Sequence, residues 1–126
     1  MKQNIVIKKE NGNLQVNLSV TVYLFKEGDS IISFCPSLDL VGSGENERSA
    51  KKSFEIVMEE YLKYCISNNT LHEDLMKHGW KENRAVFEEP PFDVLYKKNS
   101  ELRKIVSSSS PDYRRISIKR NVAAFA

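Results

Sequence analysis

The chain has 126 residues, 40% of them hydrophobic and 29% charged, with a formal net charge of +2. That length suits one domain burying roughly 65% of its unfolded surface, and the composition is ordinary for a soluble globular protein. No apolar run of about 18 residues is present, and no signal-like apolar segment follows Met1-Lys2-Gln3-Asn4, so a membrane span is not expected and the cytoplasm is.

Ile5-Val6-Ile7 is a short strand candidate, and Asn11-Gly12 after it is a type I′ hairpin signal. From Leu14 to Leu24 every second residue is apolar, with Gln15, Asn17, Ser19 and Thr21 between them. Period-2 alternation predicts a strand with one packed face. At about 3.3 Å per residue it spans roughly 36 Å, long enough to expect a bend or bulge. Tyr23 and Phe25 break the polar face and are read either as partner-binding aromatics or as cover beneath the next hairpin. Gly28-Asp29 turns the chain into a strand from Ile31 to Cys35, which Pro36 ends. The segment Cys35–Gly44 reads as a proline-broken loop and a glycine-flanked turn.

Asn46 is a good N-cap for a helix through Ser67. Ala50, Phe54, Val57, Met58, Tyr61, Leu62 and Cys65 form its apolar stripe. Thr70 with Glu73 suggests a capping box for a second helix through about Lys77. Gly79 would close it, with Trp80 folding back onto the core. Arg84–Phe87 is a weak strand signal, Pro90-Pro91 a corner, Asp93–Val106 a helix and Ser107–Pro111 a break. Arg114–Arg120 alternates as a final strand. The fold expected is α+β: an antiparallel sheet of three or more strands, one long helix on one face, short C-terminal helices and a last strand. Residues 1–106 form the α+β domain and 107–126 a basic segment.

Charge is unevenly spread. Residues 1–96 carry 11 basic and 15 acidic side chains, net −4, and residues 97–126 carry 8 and 2, net +6. An acidic body with a basic tail suggests one surface for a basic partner and another for an acidic polymer. Cys35 and Cys65 stand alone, as core cysteines do, with no Cys-x-x-Cys. His72 and His78 lack zinc-helix spacing. Gly42-Ser43-Gly44 lacks the lysine and further glycines of a nucleotide loop, so a tight turn is the reading. No nucleophile motif and no cofactor site is found.

The order Glu27-Gly28-Asp29, Ile31–Phe34, Cys35-Pro36-Ser37-Leu38-Asp39-Leu40-Val41-Gly42-Ser43-Gly44, then Ala50–Tyr61 and Thr70–Trp80 resembles the HicB-like antitoxins of bacterial toxin–antitoxin pairs. The resemblance covers about Val20 to Trp80. It implies a truncated RNase H-like sheet and a protein that neutralises a small basic HicA-type mRNA-cleaving toxin without catalysis of its own. The partner-binding residues expected are Asp39, Glu45, Glu47, Glu55 and Glu59. The RNase H likeness also raises a metal-dependent nuclease using Asp39 with Glu59 or Glu60, but these carboxylates are not expected to converge as a two-metal site needs. The alternative is a nucleic-acid-binding transcriptional regulator using Arg114, Arg115, Lys119 and Arg120. Family members commonly add a C-terminal DNA-binding module, and this chain departs from that: neither helix-turn-helix nor ribbon-helix-helix is legible. A homodimer is expected, because the short first strand cannot cover the long strand's edge and the strand at Arg114–Arg120 would cover part of it, in its own chain or in a second copy. The apolar end, Val122–Ala126, fits burial by a partner subunit.

Overall fold

The computed structural model describes residues 5–10, 13–83, 86–107 and 113–125. In chain order the elements are β1 (Ile5–Glu10), β2 (Asn13–Glu27), β3 (Ser30–Cys35), β4 (Leu40–Gly44), α1 (Glu47–Ser67), α2 (Leu71–Lys77), β5 (Lys81–Asn83), β6 (Val86–Glu88), α3 (Phe92–Lys98), α4 (Ser100–Ser107) and β7 (Tyr113–Phe125). The strands make one antiparallel sheet, so the protein is α+β. No helix among the described residues is long and apolar enough to cross a membrane. The Asn11-Gly12 turn lies outside the described residues, but β1 and β2 pair across it.

β2 is the spine. The strand runs unbroken through 15 residues, past the end of the alternation at Leu24. β7 pairs along one edge, from Asn13↔Phe125 to Phe25↔Tyr113, without a bulge. The other edge is shared end to end: β1 takes Asn13 to Leu18, and β3 takes Tyr23 to Glu27. The interruption expected from the length of β2 thus falls on its neighbours rather than on the strand itself. The β1 ladder leaves off at Leu18 and the β3 ladder begins at Tyr23.

The two faces of β2 bury different things. Val16, Leu18, Val20 and Val22 lie beneath α1 with Phe54, Met58, Leu62, Trp80 and Ile118. Tyr23 and Phe25 lie on the opposite face, in a second cluster with Phe34, Leu95, Leu102 and Ile105. The aromatics that break the polar face are therefore covered by α3 and α4. They are not an open binding surface.

α1 starts where Asn46 predicts. Ser49 N–H donates to Asn46 Oδ1 at 2.9 Å, and Ser49 Oγ accepts from Asn46 N–H at 3.2 Å. Trp80 folds back as expected, its indole N–H donating to the Ser37 carbonyl at 2.8 Å. Thr70 does not build the expected capping box: its side chain makes no cap bond, and its hydroxyl lies 3.5 Å from the Cys65 carbonyl instead.

Two elements differ from the sequence reading. The glycine-flanked turn is the strand β4, paired with β3 from Cys35↔Leu40 to Ile31↔Gly44. Its glycines serve close approach, since a Cβ on Gly42 would lie 2.6 Å from the Phe54 nitrogen of α1. The single helix expected over Asp93–Val106 is two helices, because Asn99 ends α3 and its Oδ1 accepts from Leu102 N–H at 2.9 Å. Asparagine competes for backbone groups in this way and favours helix ends. Of the weak strand at Arg84–Phe87, the structure shows β6 over Val86–Glu88, while residues 84 and 85 lie outside the described residues. Ser107 ends α4, and the rest of the expected break, residues 108–111, also lies outside them.

Candidate partner-binding surface

α1 and β7 run together, and their spacings match. On a strand, Arg114, Ile116, Ile118 and Arg120 share one face. Ile118 is buried against the α1 cluster, with Ile116 packed on it, which turns both arginines toward the helix. Six strand residues span about 20 Å, and the helical residues from Glu47 to Glu59 span about 18 Å. The charges meet accordingly. Arg114 Nη1 lies 2.9 Å from Glu47 Oε1. Arg120 reaches Glu59 Oε2 at 2.6 Å and Glu55 Oε2 at 3.6 Å. Lys63 joins Glu59 at 3.2 Å.

Hydrogen bonds from Arg120, and then from Lys63, hold the Glu59 carboxyl below its usual range. The sign follows: the pairing stabilises the fold above the ordinary carboxylate range and is lost as pH falls through the lowered folded value. In a carbon-detected NMR titration, Glu59 should titrate below an ordinary glutamate, and Arg120→Ala should move its midpoint upward. An unmoved midpoint would show that the contact has no electrostatic weight.

Three of the five acidic partner-binding candidates, Glu47, Glu55 and Glu59, therefore meet two of the four basic candidates, Arg114 and Arg120, inside one chain. The other two acids, Asp39 and Glu45, are exposed and carry no ion pair among the described residues. Asp39 sits at φ 57° in the turn between β3 and β4. Along β4 and its flanks, Asp39, Val41, Ser43 and Glu45 are all exposed, and Val41 is 52% exposed. Leu40, Gly42 and Gly44 alternate with them, and a Cβ on either glycine would meet the α1 backbone. Arg115 and Lys119 are exposed on the sheet face away from α1.

The gap beside Ser19–Val22 is filled by a carboxylate. Glu89 accepts from Thr21 N–H at 3.1 Å, from the Thr21 hydroxyl at 2.9 Å and from the Ser37 hydroxyl. Next to it opens a cleft of about 520 Å³ lined by Thr21, Tyr23, Glu89, Phe92, Leu95 and Arg115. Burial raises the Tyr23 hydroxyl above its ordinary pKa, and a hydrogen bond with Arg115 opposes the shift. Sequence reasoning missed Glu89 because nothing in Glu88-Glu89-Pro90-Pro91 marks which carboxylate turns inward.

Burial, and then the Glu89 charge, pushes the Cys35 thiol up to about 12, so it is a packed thiol rather than a nucleophile. Burial also raises Cys65. His72 pairs with Glu82, and His78 Nδ1 lies 2.7 Å from the Asp74 carbonyl at the end of α2. Among the described residues, no three His, Cys, Asp or Glu side chains are grouped to hold a metal ion. Comparison with protein-family models, with curated proteins and with solved structures finds nothing that matches this chain.

Proposed function

We propose that this chain is a binding protein of the HicB-like antitoxin kind, acting in the cytoplasm as a homodimer. In this reading it covers the active site of a small basic HicA-type mRNA-cleaving toxin and performs no catalysis of its own. One observation carries the choice of surface. Asp39 and Glu45, which have no ion pair among the described residues, bracket the exposed Val41 on β4. An apolar contact rimmed by acids suits a basic partner, and the rim charges would speed association. Glu47, Glu55 and Glu59 support α1 against β7 and leave the contact to the β4 side.

The test is co-expression with the small basic protein encoded beside the gene. The two should co-purify, and a chain carrying Asp39→Lys and Glu45→Lys should lose at least tenfold in affinity while keeping its circular dichroism spectrum. A neighbouring reading frame of unrelated type, or undiminished capture, would sink the reading.

A second reading, a nucleic-acid-binding regulator, keeps Arg115 and Lys119, which are exposed together on one face. It predicts retardation of the protein's own promoter DNA at low salt, lost in the double alanine variant at these two positions.

A further inference from the structure

We infer that the outer edge of β7 pairs antiparallel with β7 of a second copy, across a two-fold axis centred at Ile118. This deepens the dimer proposed above and does not depend on the identity of the toxin.

Backbone direction comes first. Thr21 N–H points to Glu89, away from β7. Along a strand, N–H and C=O alternate sides, so Val20 and Val22 direct theirs at β7. In the observed register these face Ile118 and Ile116. The even positions of β7 thus bond to β2. Tyr113, Arg115, Ser117, Lys119, Asn121 and Ala123 present their N–H and C=O on the outer edge. No strand pairs with that edge among the described residues.

The other free edges are shorter: β4 has five residues, and β6 leaves only residues 7–10 of β1 beyond its pairing. On β4, Ser43 N–H donates to Ser53 Oγ of α1 at 3.2 Å. β5 has only three residues. β7 has 13 residues and contains neither proline nor glycine. A long regular edge of that kind is a template for another strand.

For a second copy, parity and charge select the register. Outward positions must face outward positions, so a two-fold axis has to pass through a residue. Centring on Ser117 sets Arg115 opposite Lys119. Centring on Lys119 or Arg120 sets that residue against its own copy. Like charges directly opposite are destabilising. Centring on Ile118 sets Ser117 opposite Lys119, Arg115 opposite Asn121 and Tyr113 opposite Ala123, with no like charges opposed. Centres nearer either end pair a shorter stretch. Centring on Ile118 would form about twelve new main-chain hydrogen bonds. On the α1 face, Glu47, Glu55 and Glu59 already neutralise Arg114 and Arg120, so the basic charge brought to the seam is that of Arg115 and Lys119 on the other face, diagonal rather than directly opposite.

Light scattering at micromolar concentration should give twice the chain mass of 14.5 kDa. Lys119→Pro removes an outward N–H while leaving the ladder to β2, and should give a monomer. Lys119→Ala keeps that N–H and should stay dimeric. A spin label on Arg115→Cys should report a separation of about 20 Å, six residues of strand offset. Cys35 and Cys65 are buried, so the label goes to the new thiol. A monomeric wild type overturns the dimer and this interface together. A dimer with a different label distance, or one that persists in a folded Lys119→Pro chain, overturns only the interface. If Lys119→Pro fails to fold, the label distance decides. Loss of toxin capture with the dimer intact would leave this inference standing.

Discussion

Phe54→Ala should cost about 3–5 kcal/mol of unfolding free energy. The ring is fully buried at the centre of the cluster between α1 and β2, beside Met58 and Leu62. Removing it takes away both the transfer free energy and the support for the surrounding side chains. A domain of this size is stable by only about 5–15 kcal/mol, so the variant should approach half-unfolding in mild denaturant. Urea titration would measure it, the midpoint falling while the slope stays the same. A cost under about 1 kcal/mol would mean that this face of α1 does not hold the core.

Gly42→Ala should be nearly as damaging, at about 3 kcal/mol or more, the upper end for an inserted methyl. The obstacle is backbone: the new Cβ would meet Phe54 N at 2.6 Å and Phe54 Cα at 2.9 Å. The helix would have to lift from β4, taking Phe54 with it. Gly28 supplies the control. It sits at φ +61° with nothing within 4 Å of its missing Cβ, so Gly28→Ala should cost only the left-handed strain, about 1–2 kcal/mol. Equal costs at the two sites would show that crowding under α1 is not what glycine relieves at position 42.

Those glycines illustrate where the sequence was legible and where it was not. The alternation from Leu14 to Leu24 announces a strand, and the 3.6-residue stripe from Ala50 to Cys65 announces a helix, because each pattern is local. Gly42 and Gly44 serve a contact between β4 and α1, and in a one-dimensional reading close approach and a tight turn look alike. Asn99 is similar: inside an apolar periodicity it is tolerable, and only the bond from Leu102 shows that it divides two helices. The meeting of Arg114 and Arg120 with Glu47, Glu55 and Glu59 was hidden for a different reason. The charge counts of the two segments were plain, but whether opposite charges recruit outside partners or each other depends on where β7 lies in the sheet, and no local pattern encodes that.

The placement of β7 beside β2 has a consequence during synthesis. Phe25 pairs with Tyr113 and Asn13 with Phe125, so nearly a hundred residues or more separate the partners. At about 5–20 residues per second, a ribosome leaves one whole side of β2 without its strand for roughly 5–20 seconds. During that time Val16, Leu18, Val20 and Val22 have no Ile118 beside them. Contacts so distant along the chain also slow closure of the finished molecule. The newborn chain therefore passes through a stage with an open, strongly alternating strand, when chaperones or neighbouring nascent chains can reach it, and the stage ends when the basic segment arrives and is drawn along the acidic side of α1.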